Sequence, residues 1–358
     1  MKTWIDSDLQ LRRQMIANIA DEQNLQSVTI EKDWWVTMTL KALFETSCRE
    51  YLSFKGGTSL SKGWNLIDRF SEDIDLSLHH SFFGIESTTK SQREKLRKQS
   101  RLYIVNELSK ELEERLHGFG ITDVKVVPVT KTEGNNPHAI DSDKDPVVLR
   151  IQYQSVLPMG SGYMLPFVKV EISCLSMNEP TEMVELSSII RGTYPKYDED
   201  AIVAARTVRP TRTFLEKAFL LCEEFQKDKP RTQRMTRHFY DMYKLAQTPF
   251  VNEALQDVAL YRRIVEHRES YYHVHYVDYS RLLPENISFF PPDSLSQDYK
   301  ADYQMMLQEY IYDPAAPSFE DLMQFLMELQ DRFRNIRNYK YINNQWQNAG
   351  KPDYAKKQ

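Results

Sequence analysis

The chain has 358 residues, 41% hydrophobic and 27% charged, which excludes a disordered or fibrous protein and allows two domains with a sizeable core. Its formal charge of -5 excludes a surface coated in positive potential, so a nucleic-acid partner has to be gripped by a local basic patch. Cys48, Cys174 and Cys222 have no paired spacing, Met1–Asp6 lacks the apolar core of a signal peptide, and no stretch reaches the roughly 20 apolar residues that span a bilayer, so a soluble, cytoplasmic protein with no membrane partner is expected.

From Leu9 to about Ser47 the apolar residues recur at helical spacing, with a break near Asn24–Thr29 and an acidic start, Glu31-Lys32-Asp33, to the second run. Tyr51-Leu52-Ser53-Phe54 reads as a short strand ended by a glycine pair, Ser59–Asp68 as a helix, and Ile74–Leu78 as an alternating strand. A long charged helix is expected over Lys90–His117. Strands follow at Val124–Val129, Val147–Tyr153 and Phe167–Ser173, the first two separated by a polar stretch with Gly134-Asn135-Asn136-Pro137. Beyond Arg209-Pro210 only helices are expected, over Thr213–Phe225, Arg234–Ala246, Val251–Glu266, Asp298–Tyr310 and Phe319–Tyr339, and then a frayed tail from Gln347. The fold class is therefore α+β, a mixed-sheet domain with N-terminal helices over 1–208 followed by a helical domain over 209–358.

Lys55-Gly56-Gly57-Thr58-Ser59-Leu60-Ser61-Lys62 places two glycines between a strand and a helix. There the backbone can turn tightly, approach a ligand and present N–H groups to phosphate. Thr58, Ser59 and Ser61 add hydroxyls, although any of them also serves as a plain helix cap. In Asp73-Ile74-Asp75 the two carboxylates leave one face of a strand while Ile74, Leu76 and Leu78 leave the other. Side by side they suit a cation between them, and oxygen-only ligands suit Mg²⁺ bridging to phosphates; an isolated Asp-x-Asp is also an ordinary exposed strand face. The conjunction of the two motifs across one short connection is more specific than either. Glu171, centred in the apolar strand Val168–Ser173 with Lys169 and Ser173 on its face, offers a third carboxylate; the alternative is a solvent-facing edge.

These blocks, with Glu31-Lys32-Asp33-Trp34, Arg212–Lys217, Arg237–Leu245 and Ser318-Phe319-Glu320, resemble the AbiEii/AbiGii toxin family, nucleotidyltransferases of the DNA polymerase β-like fold from type IV toxin–antitoxin and abortive-infection (phage-defence) systems. The resemblance implies Mg²⁺-dependent transfer of a nucleoside monophosphate from an NTP, with Asp73, Asp75 and Glu171 as catalytic metal ligands. It implies nucleotide contacts by Gly56, Gly57, Thr58, Ser59, Lys62, Lys217 and Asp241. Lys217 is otherwise a snorkelling helix lysine. Many relatives carry Arg/Lys-Asp-x-x-Asp where this chain has Arg237-His238-Phe239-Tyr240-Asp241, without the first acid. The implied partners are an NTP, a cognate antitoxin encoded nearby and a tRNA 3′ end as acceptor. A protein hydroxyl as acceptor and a non-catalytic NTP-binding regulator are the alternatives.

Two further features stand apart. Six cations over Lys90–Arg101 against Glu94 form either an RNA phosphate grip or a solvated helix face. His273 and His275 lack a third ligand for zinc, and their aromatic stretch, Arg268–Tyr276, reads as packing with possible substrate contact; Trp34 and Trp35 read as core.

Overall fold

The apolar periodicity of the first forty residues resolves into two helices, α1 (Leu9–Gln23) and α2 (Ser27–Leu43). Asp8 caps α1 by accepting from the Leu11 N–H, and Asn24 stops it in the left-handed region at φ 52°, a conformation asparagine tolerates. This break separates α1 from α2 at the expected place. The computed structural model describes residues 3–86, 89–134, 136–158 and 166–336. Asn135, the end of the last expected helix at 337–339 and the tail from Gln347 lie outside the described residues.

The chain then runs through β1 (Leu52–Lys55), one helical turn α3 (Gly56–Thr58) continued by a wide π turn (Ser59–Gly63), and β2 (Ile74–Leu78). The helix expected to Asp68 thus stops at Gly63. Residues 64–73 cross back as an irregular segment, because Trp64 and Leu66 N–H groups are already bonded to the Ser59 and Leu60 carbonyls and Asn65 takes a positive φ. Next come α4 (Lys90–Tyr103), a π turn over Ile104–Leu108 and α5 (Ser109–Gly118), a continuous helical path where one helix was expected. The strands β3 (Val124–Pro128), β4 (Val147–Tyr153) and β5 (Phe167–Ser173) fall where alternation placed them.

Two strands were not legible: β6 (Thr181–Ser187) and, after the short α6 (Ile189–Thr193), β7 (Ile202–Val208). β6 is a sheet edge and fully buries only Leu186, so its sequence carries little alternation. Among the described residues seven strands make one mixed sheet in the order β3-β4-β5-β2-β1-β7-β6. β2 pairs antiparallel with β1 and parallel with β5, which sets these three strands side by side.

The apolar faces of β1 to β5 pack against α1, α2 and α5 in one core that includes Trp4, Trp34 and Trp35. Asp198, fully buried in it, accepts from the Trp4 backbone N–H (2.9 Å), from Trp34 Nε1 (2.9 Å) and from the Ser188 hydroxyl. These bonds tie the chain start, α2 and the residue capping α6 to one carboxylate.

The remaining helices are α7 (Pro210–Glu224), α8 (Thr236–Ala246), α9 (Pro249–Gln256), α10 (Val258–His267), α11 (Ser296–Glu309) and α12 (Phe319–Arg334). The single helix expected over Val251–Glu266 is divided at Asp257, whose carboxylate caps α10 by accepting from Leu260 N–H at 2.8 Å. The described residues fall into two compact units, one within 1–209 with 310–314 and the other within 210–309 with 315–336. The return of 310–314 was not foreseen. Its backbone bonds Phe70 N–H to the Tyr310 carbonyl (2.7 Å) and Tyr312 N–H to the Asp68 carbonyl (3.1 Å) beside an Arg69–Ile311 bridge. The second unit has its own ionic interior, in which Arg268 makes a two-pronged pair with Glu223.

Candidate functional site

Ile74, Leu76 and Leu78 point into the core with no exposure, as do Val168, Val170 and Ile172. By strand alternation Asp73, Asp75, Lys169 and Glu171 therefore leave the opposite face, where each is half-buried. The register aligns Lys55, Asp75 and Glu171 across β1, β2 and β5. Asp73 and Lys169 are the residues just before the paired Ile74 and Val170. The fold thus brings together all three carboxylates read from the sequence, and adds a lysine among them.

Gly56 explains how close the turn comes. Its φ is +80°, and a Cβ built there would stand 2.1 Å from Asp75 Oδ2. Only glycine combines that backbone with that contact. At Gly57 a Cβ would meet Arg69 Nη2 at 2.7 Å and Ser71 Oγ at 3.0 Å, so the bare backbone admits a buried guanidinium. If the row serves the nucleotide transfer that the resemblance implies, Gly56→Ala is expected to lower it about a thousandfold, because a displaced Asp75 carboxylate would cost several kcal/mol of transition-state stabilisation. Retention of more than a tenth of the wild-type rate in a single-turnover assay would count against this geometry.

The hydroxyls of the turn are engaged within the fold. Thr58 Oγ1 donates to the Asp73 carbonyl (2.5 Å) and lies 2.9 Å from Ser71 Oγ, while Ser59 Oγ donates to the Gly56 carbonyl (2.9 Å). Thr58 therefore fastens the turn directly to the first aspartate. Lys62 Nζ donates to Asp33 Oδ1 (2.5 Å) and to the Ser187 carbonyl (2.9 Å), with 7% of its side chain exposed. A cavity of about 350 Å³ adjoins the turn, lined among others by Asp33, Thr58, Lys62, Arg69, Ser71 and Tyr312.

The Glu31-Lys32-Asp33 block acts through three separate anchors. Glu31 accepts from Ser155 Oγ (2.5 Å) and Val156 N–H (2.7 Å), and burial pushes its carboxyl above the ordinary range. Lys32, 4% exposed, pairs with Glu72 beside Asp73 and lies 5.7 Å from the Phe167 ring centre. Asp33 holds Lys62 and accepts from Ile189 N–H at 2.7 Å. The acidic helix start expected at Glu31-Lys32-Asp33 is corrected: α2 begins at Ser27, so the block lies inside an otherwise apolar helix, and that run of charges is the signal of its anchoring role.

Lys169 pairs with Glu171. Burial alone would lower its ammonium, but the hydrogen bond and charge of Glu171, with Asp73 and Asp75, hold it above the ordinary lysine value. The donor set facing solvent is carboxylate oxygen only, which fits a hard divalent cation such as Mg²⁺ held by one or two carboxylates plus substrate phosphates. Among the described residues no three His, Cys, Asp or Glu side chains are closed into a metal cage.

Lys217 and Asp241 are brought together in the helical unit, where Lys217 Nζ lies 2.7 Å from Asp241 Oδ2 with 8% and 0% of the side chains exposed. The α4 cations are not a uniform free row: Arg97 pairs with Asp143 (2.9 Å), Lys98 with Glu94 (3.0 Å), and Arg101 is buried. His273 and His275 are exposed, and His273 Nδ1 lies 3.3 Å from the Glu269 carbonyl. No helix among the described residues is long and apolar enough to cross a membrane.

The family described as nucleotidyl transferase AbiEii toxin, type IV toxin–antitoxin system, matches residues 39–325. Among solved structures, MenT4, a nucleotidyltransferase toxin from Mycobacterium tuberculosis H37Rv, is similar at 16% identity and a TM-score of 0.45, over 91% of this chain and 88% of that one. No curated protein matches the chain.

Proposed function

From the premise that this chain belongs to the AbiEii nucleotidyltransferase toxin family, we propose that it transfers a nucleoside monophosphate from an NTP to the hydroxyl of an RNA acceptor, with the tRNA 3′ end as the first candidate. The observation that carries this reading is the approach of Gly56 to Asp75 within the aligned row of Asp75 and Glu171. A turn without side chains would let a phosphate approach the backbone N–H groups next to carboxylates that could share a divalent cation with it.

A divalent cation bound at Asp73 and Asp75 would neutralise charge developing on the α-phosphate and the leaving pyrophosphate. The chain's own residues do the rest. Gly56 and Gly57 leave the backbone open to the triphosphate, and Thr58 keeps the turn fixed to Asp73. Glu171 accepts the proton of the attacking hydroxyl as its oxygen bonds to the α-phosphorus and the bond to the β-phosphate oxygen breaks. For Lys217 and Asp241, which pair within the helical unit, the family resemblance implies a nucleotide contact, in which an ammonium acts as a point charge. Ser59 and Lys62 support the helical turn that follows the glycines. Function as a toxin restrained by a nearby-encoded antitoxin, in the cytoplasm, follows the family.

The test incubates the pure protein with Mg²⁺, each labelled NTP and total tRNA. Label is expected on RNA and is expected to vanish with Asp73→Ala or with chelator. Label on protein instead would replace RNA by a protein hydroxyl as acceptor, and NTP binding without transfer would reduce the chain to a regulator.

A further inference from the structure

Polymerase-type transferases often place two cations a few ångströms apart, one for the attacking and one for the leaving oxygen. In this chain a cation of a different kind already stands in the carboxylate row. Lys169 and Glu171 occupy the same face of β5 and make an ion pair, with 36% and 27% of their side chains exposed. Glu171 is the register partner of Asp75, and Lys169 immediately precedes the partner of Ile74, so the ammonium sits beside the strand that carries both aspartates. Asp73 and Asp75 act on it electrostatically in addition to Glu171.

Other cations stand near the row: Arg150, the register partner of Lys169 on β4, pairs with Glu133, Lys32 pairs with Glu72, and Lys55 lies opposite Asp75. Lys169 is distinguished by its ion pair with Glu171, a member of the carboxylate set itself.

We propose that the Lys169 ammonium takes the second cation position of this row, so that the site binds one divalent cation, at Asp73 and Asp75, and Glu171 is held by lysine rather than by metal. This rests on the transferase reading above for the use of the site, but its own content is a metal count. It replaces the expectation that all three carboxylates are metal ligands by a division of labour, two for the metal and one for the acceptor proton. An ammonium fixed on the chain has a practical consequence: one of the two charges that neutralise the row is present before any metal arrives. It also repels a second divalent ion by ordinary like-charge interaction.

The experiment counts Mn²⁺ bound to the nucleotide-free full chain by electron paramagnetic resonance titration. Wild type is expected to take one ion per chain, and Lys169→Met two, with the first bound about ten times more tightly once the neighbouring positive charge is gone. Lys169→Arg keeps the charge and is expected to take one ion, like wild type. Unfolding midpoints of all three proteins report that each is folded. Two ions on wild type, none on wild type, or the same count and affinity for wild type and Lys169→Met would each overturn the proposal. Loss of every transfer activity in wild type with these counts intact would instead overturn the transferase reading and leave the assignment of Lys169 standing.

Discussion

Asp75→Asn is expected to reduce nucleotide transfer by about three orders of magnitude or more while leaving the fold intact. The carboxylate sits where β1, the glycine turn and β5 meet: it faces the open backbone of Gly56, lies opposite Lys55 and stands beside Glu171. An amide keeps its size and loses its charge. A divalent cation held there, as proposed, would have one anionic ligand fewer, and several kcal/mol of transition-state stabilisation would disappear, each 1.36 kcal/mol being a factor of ten. Stability responds differently. Asp75 is half-buried near both Glu171 and Lys169, so neutralising it trades a lost attraction to the lysine against a relieved repulsion from the carboxylate, and the unfolding midpoint should stay within about 3 °C of wild type. Single-turnover transfer and thermal unfolding on the same preparation decide the matter. Transfer within tenfold of wild type would remove Asp75 from the reaction centre.

Asp198→Ala is the opposite kind of change, structural in effect and far from the carboxylate row in role. Its side chain is fully buried and receives three hydrogen bonds, from Trp4 N–H, Trp34 Nε1 and Ser188 Oγ. Removing the acceptor strands three donors in the apolar core, at about 1–3 kcal/mol each before they share any relief from entering water. A loss of about 4 kcal/mol in denaturant unfolding is expected, a large part of what a typical domain possesses. Ser188→Ala, which removes one donor to Asp198 and the α6 cap bond from Arg191 N–H while leaving the acceptor satisfied by two, should cost only about 2 kcal/mol. Equal, small losses for both variants would show that water reaches the cluster.

The carboxylate row was legible because its signals are local. Alternation over Ile74–Leu78 and Phe167–Ser173 fixed which side chains share a face, and the two glycines marked the turn. What alternation cannot encode is which strands become neighbours. The parallel pairing of β2 with β5 spans about a hundred residues of chain, and only that pairing sets Glu171 against Asp75 and Lys169 among the acids. The same limit hid the partners of Lys62, for which the resemblance implies a nucleotide contact: its ammonium meets Asp33 of α2 and the Ser187 carbonyl. Edge strand β6 was missed for a different reason, since a strand with little to bury has little pattern to show.

Residues 310–314 belong to the first unit although the preceding hundred residues build the second. Their backbone bonds to Asp68 and Phe70 are made on the segment that leads into Asp73. During synthesis the sheet can assemble once β7 has emerged, but this segment has to wait for the whole helical insertion before gaining its last two partners. A fragment ending at Arg209 would lack both bonds, so the segment leading into Asp73 is completed only by chain that follows the helical insertion.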